Sequence, residues 1–189
     1  MDPLAPQYPV RTARLLLRPL DRVTDVDAVH AYQSLPEVCR YIPFAPRSRE
    51  EVAERLSDPE RTRSAFTDAG QAIDLAIVRR SDQRLIGDLM VMWNSAVHRA
   101  GEIGYVIHPD FQGNGYATEA AAAGLAIAFD VLDLHRVIGR IDARNPASAA
   151  VLRGIGMRHE ATLVENEWFK HEWSTEMSFA ILAAEWRAG

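Results

Sequence analysis

Cysteine is almost missing from this chain: Cys39 is the only one in 189 residues. That forbids an intrachain disulfide, leaves no thiolate set for a zinc site and makes a reducing, cytoplasmic setting the expected one. A membrane-length apolar run is missing as well. The longest stretch, Ala120 to Phe129, is about half of what a span requires and closes on Asp130, so a buried helix is expected there. Met1 to Tyr8 holds neither the basic cluster nor the apolar stretch of a secretory leader. Positive charge is in deficit, with 21 Lys and Arg against 26 Asp and Glu. A net charge of −5 argues against nucleic acid and favours cationic partners such as amines. The six histidines show no ligand spacing, and no metal is expected.

What is present is an ordinary globular composition, 48% hydrophobic and 25% charged, in a length that suits one sizeable core. A single domain over residues 1–189 is expected. Arg14 to Leu20 reads as a first strand, limited by Pro19 to an edge or an end. Two helices follow, one opened by Thr24 with Asp27 and one by Ser48 with Glu51, both spaced as capping boxes. Between them, Pro36 to Pro46 brackets Tyr41, Ile42 and Phe44 with prolines, apolar material that either lines a pocket or lids the core. Ile73–Val78, Leu85–Trp93 and Glu102–Ile107 read as an antiparallel meander. A glycine loop, an alanine-rich helix to about Leu132, a strand over 137–143 and a helix opened by Asn145-Pro146 come next, then strand-like runs near Leu163 and Met177.

The glycine loop carries the chemistry. Pro109 stops the strand before it, and Gly113 and Gly115 allow positive φ and close approach of a ligand to bare backbone N–H groups. The helix behind adds its own unpaired N–H groups and positive dipole end, so Gln112 to Thr118 forms an anion site made of backbone. A phosphate-binding P-loop would need Gly-Lys-Ser/Thr where Tyr116-Ala117-Thr118 stands. A dinucleotide fingerprint would need glycine or alanine at position 118, without the Pro109-Asp110 spacer.

The segment Gln112-Gly113-Asn114-Gly115-Tyr116-Ala117 resembles the Gln/Arg-x-x-Gly-x-Gly/Ala signature of the GCN5-related N-acetyltransferases. Leu85-Ile86-Gly87, Gly101-Glu102-Ile103-Gly104-Tyr105, Asn145-Pro146-Ala147-Ser148 and Gly156-Met157 resemble the same family in order, over roughly residues 12 to 182, with the flavour of its RimJ/RimL-like branch. The resemblance implies a mixed α/β fold: a central, mostly antiparallel sheet of six or seven strands with helices on both faces. It implies acetyl-CoA as donor and a primary amine, on a protein N-terminus or a small molecule, as acceptor, and it leaves room for a homodimer.

Residue by residue, the resemblance gives Gln112, Gly113, Asn114, Gly115, Tyr116, Ala117 and Thr118 to the pyrophosphate. It gives Val106 and Ile107 to the pantetheine, with a bulge near Tyr105 to Ile107, compatible with Gly104, to aim a backbone oxyanion donor, and Asn145 to the cofactor arm. Glu102 is the expected proton acceptor, with His108 as its rival because its ordinary pKa lies near neutrality. Asn145 and Pro146 are also a good helix start, and Ser148 is placed to help the departing sulfur. The tyrosine that many relatives place seven residues after the asparagine is Leu152 here, and Ser174-Thr175 stands where relatives carry an aspartate. Trp168, Phe169 and Trp173 are read as packing aromatics that can also face substrate. A silent acyl-CoA-binding sensor is the alternative reading.

Overall fold

The computed structural model describes residues 3–188, the Phe169 side chain excepted. The elements are β1 (Val10–Arg11), β2 (Leu15–Pro19), α1 (Val26–Gln33), α2 (Pro36–Cys39), α3 (Arg49–Ser57), β3 (Ala72–Arg79), β4 (Leu85–Ser95) and β5 (Ala100–Ile107). After them come α4 (Tyr116–Ala126), β6 (Arg136–Asp142), α5 (Pro146–Gly154), β7 (Arg158–Phe169), β8 (Glu172–Leu182) and α6 (Ala183–Ala188). One sheet takes all eight strands in the order β1-β2-β3-β4-β5-β6-β8-β7. It exceeds the expected six or seven strands through the two-residue β1, too short to leave a period-two pattern. No helix among the described residues is long and apolar enough to cross a membrane.

Strand alternation sends Ile73, Leu75 and Ile77 into one apolar layer, shared with Leu125 and Phe129, and Ala76 and Val78 into another under Val29, Tyr32, Val52 and Leu56. The sheet is therefore covered on both faces. Ser48 caps α3 as its spacing predicts, accepting from the Glu51 N–H at 3.2 Å while Glu51 accepts from the Ser48 N–H at 2.7 Å. Thr24 does not cap α1. Asp25 holds that position, and its carboxylate is drawn instead to Arg18, at 2.6 and 2.8 Å. Pro36, expected in a segment that cannot continue a helix, opens the short α2 from its first turn, where a missing N–H costs nothing.

The feature that matters for function is a split in the sheet. β5 and β6 run parallel, and pair only from Ala100↔Arg136 to Glu102↔Ile138. Beyond that point β5 stays with β4 as far as Ile107, while β6 stays with β8 as far as Asp142. The two halves of the sheet part like a V, leaving one edge of β5 without a strand partner. The bulge expected near Tyr105 to Ile107 is absent: Gly87 pairs with Ile107 and Leu89 with Tyr105 in unbroken register, and the one register shift between β4 and β5 lies at Trp93/Ser95. Splaying, not bulging, frees the β5 backbone.

Candidate functional site

A cleft of about 470 Å³ opens at this split. Val106, Ile107, Gln112, Gly113, Gly115, Tyr116, Ala117, Thr118, Asn145 and Ser148, all expected at the site from the sequence, line it together. Its volume is in the range of small-molecule sites. His108 N–H donates to Ile86 O at 2.8 Å. Antiparallel alternation then turns the backbone groups of Tyr105 and Ile107 away from β4, toward the cleft. The Ile107 carbonyl there accepts from Gln112 Nε2 at 2.9 Å, tying the strand edge to the loop.

Gly113 and Gly115 adopt φ of +74° and +77°, the left-handed region that glycine reaches without strain. A Cβ on Gly113 would meet nothing within 4 Å, so the loop presents open backbone. The first intrahelical bond of α4 runs from Glu119 N to Gly115 O at 3.1 Å, leaving the N–H groups of Tyr116, Ala117 and Thr118 for a ligand. Asn114 is the one loop residue expected to bind cofactor that lies outside the cleft lining. Its side chain braces the loop instead, donating to Phe111 O at 3.2 Å and Gln112 O at 2.9 Å. A carboxylate in the first turn of α4 would repel an anion, but Glu119 is turned to Thr12, the Arg14 N–H and the Arg14 guanidinium, at 2.6 to 2.7 Å.

The far wall comes from α5. Asn145 Oδ1 accepts from the Ser148 N–H at 3.0 Å, the expected cap, and Ser148 O accepts from the Tyr105 hydroxyl at 3.1 Å. Burial pushes the Tyr105 hydroxyl well above its ordinary pKa, so it serves as a hydrogen-bond donor and not as an acid. Sequence reasoning named Tyr105 for its backbone and missed its hydroxyl; its place in Gly104-Tyr105 at the strand end was the available signal. Leu152 is buried against β6, so close that a Cβ on Gly139 would lie 2.8 Å from its Cδ2. A side chain at position 152 faces the sheet here, which accounts for an apolar residue.

Glu37, Val38, Tyr41 and Ile42 roof the cleft, so the proline-bracketed segment lines a pocket. Cys39 within it is turned inward, 1% exposed, its thiol donating to Gln33 O at 3.3 Å. Burial raises the pKa of that thiol. The β7–β8 hairpin reaches the same roof through Lys170 Nζ, which donates to Cys39 O. Trp168 and Trp173 on that hairpin stack edge to face with centroids 5.3 Å apart and are more than half exposed. They are therefore not core residues. Phe169 lies outside what is described at the side-chain level.

Glu102 does not line the cleft. It points from β5 into a neighbouring cavity of about 160 Å³ that shares Tyr41 and Ile42 with it and is also lined by Arg140, Asp142, Glu167, Ser174 and Glu176. Glu102 Oε1 accepts from Arg140 Nε at 3.1 Å. Asp142 is taken by Arg144, at 2.7 and 2.9 Å, which holds its carboxyl below the ordinary value. His108 lines neither space. Its Nδ1 accepts from the Asp110 N–H at 3.2 Å and caps the turn Pro109–Phe111.

Comparison with known proteins identifies the family. Residues 14–158 match the family model described as an acetyltransferase (GNAT) domain. YnaD of Bacillus subtilis (strain 168), described as an uncharacterized N-acetyltransferase, is 32% identical over 180 residues, covering 94% of this chain and 98% of that protein. A GNAT-family acetyltransferase from Bacillus anthracis superposes with a TM-score of 0.81 at 29% identity, over 93% of this chain and 98% of its own. A spermidine N-acetyltransferase from Vibrio cholerae, solved in complex with CoA and spermine, shares the fold with a TM-score of 0.78 at 21% identity, over 93% and 99% of the two chains.

Proposed function

Because the chain belongs to the GNAT acetyltransferase family, and is thereby an N-acetyltransferase that uses acetyl-CoA, we propose that it acetylates a primary amine by direct attack with both substrates bound. The acceptor is a small cationic molecule or a protein N-terminus. The observation that carries this reading is the shared wall: Tyr41 and Ile42 border both the loop-bearing cleft and the carboxylate-lined cavity. That shared wall supports a reading in which an anionic donor and a cationic acceptor are received side by side.

Acetyl-CoA supplies a thioester carbonyl. The residues present fit such a ligand: bare backbone from Gln112 to Thr118 for the pyrophosphate, the β5 edge past Val106 and Ile107, open at the backbone of Tyr105 and Ile107, for the pantetheine, and Asn145 beside its arm. The hydroxyl of Ser148 offers a hydrogen bond to the departing sulfur, while Tyr105, whose O–H donates to Ser148 O, braces the turn that carries it; a thiolate with an ordinary pKa near ~8.5 needs no strong acid. Glu102 stands on the acceptor side, where an ammonium with a pKa near ~10 must lose its proton. The inward-turned thiol of Cys39 supports transfer without an acetyl-enzyme. This reading includes a cytoplasmic setting, and kinship with the RimJ/RimL-like branch rests on the sequence motifs above.

The test is acceptor screening with acetyl-CoA, following free thiol over a panel of amines and N-terminal peptides. Thiol release with at least one acceptor is expected. Tight acetyl-CoA binding with no release across the panel would leave the silent sensor as the function.

A further inference from the structure

Four carboxylates and one guanidinium line the acceptor-side cavity, and three of the carboxylates are accounted for. Glu102 accepts from Arg140, Asp142 is held by Arg144, and Glu167 is exposed on the hairpin. Glu176 is different. Its side chain is only 10% exposed, and its nearest charged partner, Arg140 Nη1, stands 3.6 Å away, beyond hydrogen-bond length. Among the described residues no hydrogen bond reaches it. Its oxygens keep access to the cavity and are held only by that ion pair, so they are open to hydrogen-bond donors from a ligand there.

Its position is set by register. Glu176 pairs with Asp142 on β6, four residues past the last β5–β6 pair at Ile138. It therefore sits on the far arm of the V, across the split from β5. Ser174, two residues earlier on β8 and so on the same face, completes the floor, and Tyr41 to Pro43 close the top.

Building on the acetyl-transfer reading above, we propose that Glu176 is the carboxylate that receives the acceptor's ammonium and takes its proton, with Glu102, bound to Arg140, orienting the same group. One proton passes from the ammonium nitrogen to Glu176. The freed amine forms a C–N bond to the thioester carbonyl carbon, and on collapse the C–S bond breaks. The sulfur leaves with its electron pair as a thiolate, and takes up the second nitrogen proton to become the free thiol. Glu176 then returns its proton to solvent, so charge and atoms balance. The surroundings favour proton uptake at this carboxylate, since burial raises the basicity of Glu176, Arg140 opposes this, and Glu167 and Glu102 reinforce it. Asp142, neutralised by Arg144, and the phenol of Tyr41 complete the ionisable groups of the cavity wall.

The experiment compares Glu176→Gln, Glu102→Gln and Glu167→Gln with the unsubstituted enzyme, using spermidine and a short N-terminal peptide as acceptor probes over a pH series. For Glu176→Gln, turnover at pH 7 should fall roughly a hundredfold with spermidine and acetyl-CoA affinity should be unchanged; the deficit should shrink toward pH ~10 for spermidine and already toward pH ~8 for the peptide, where each amine loses its proton in solution. Glu176→Asp, which keeps the charge but withdraws it, should fall between the two and serves if the glutamine variant is poorly folded. Turnover within about threefold of the parent in a folded Glu176→Gln, or a pH-dependent loss carried by Glu102→Gln or Glu167→Gln instead, overturns the proposal. If the unsubstituted protein releases no thiol with either probe, acetyl transfer to these amines fails as a reading. Glu176 is then judged by calorimetric binding of spermidine to the CoA-loaded protein. A roughly tenfold weaker constant in Glu176→Gln supports the proposal, and equal constants or no binding to the parent overturn it.

Discussion

Asp88 is a half-buried carboxyl on β4, paired in register with Val106 at the cleft. Its partners are the Tyr32 hydroxyl, which donates a short hydrogen bond, and Gln33 Nε2 at 3.5 Å. Burial pushes its pKa up to about 6 from an ordinary 3.8, the hydrogen bond from Tyr32 opposes this, and the neighbouring Asp74 adds to it. Below about pH 4 the group is protonated in both folded and unfolded chains and has no effect on stability. From there to about pH 6 the unfolded chain gives up the proton first, so stability declines as pH rises, and above pH 6 the full penalty stands. Two pKa units correspond to about 3 kcal/mol. Asp88→Asn keeps an oxygen to accept from Tyr32 and removes the titration. The stability of the variant relative to the parent should therefore improve by up to about 3 kcal/mol between pH 4 and pH 7. Asp74 and Glu176, also raised by burial, remain in both proteins and cancel. Asp82 and Glu160, lowered to about 2 by arginine partners, act only under more acid conditions. Urea midpoints and slopes measured for both proteins across that window give the difference directly. Two stability profiles that run parallel from pH 4 to 7 would mean that Asp88 carries no burial penalty, and the linkage drawn from its surroundings would fail.

Acetyl-CoA at a hundredfold excess over its Kd should add roughly 2.7 kcal/mol to stability and raise the melting temperature by several degrees. Coenzyme A should compete and nicotinamide dinucleotides should not; a melting curve indifferent to saturating acetyl-CoA would remove the cleft assignment. Gly115→Val forces a β-branched residue into φ near +77°, with its Cβ 3.4 Å from Arg14 Nη2, and acetyl-CoA affinity should drop by more than about tenfold. An unchanged calorimetric constant in the folded variant would reduce the loop to a turn. Cys39→Ala should retain turnover, since the thiol faces Gln33 and not the cleft; an acetyl group trapped on Cys39 by mass spectrometry would contradict direct transfer.

Features that depend on neighbours in the chain are legible in the sequence. The loop from Gln112 to Thr118 is one of them, because a glycine with positive φ followed by a helix start is a local instruction, and every N–H it frees comes from the same short segment. The same holds for the Ser48 box and the Asn145 cap, each closed over three residues. Asn114 is the exception inside the loop: whether its side chain faces ligand or backbone is a rotamer choice that spacing does not encode.

Features that depend on strands meeting emerge only in the folded molecule. Glu102 was visible as a carboxylate on the right strand, but its partner Arg140 is 38 residues away, and Tyr32 finds Asp88 across 56. Glu176 had no signal at all, because an isolated glutamate in a strand reads as a solvated face. Only the pairing of β6 with β8, and the split between β5 and β6, turns it inward beside Arg140. Burial and register are properties of the assembled sheet, and the chemistry of a carboxylate follows from them.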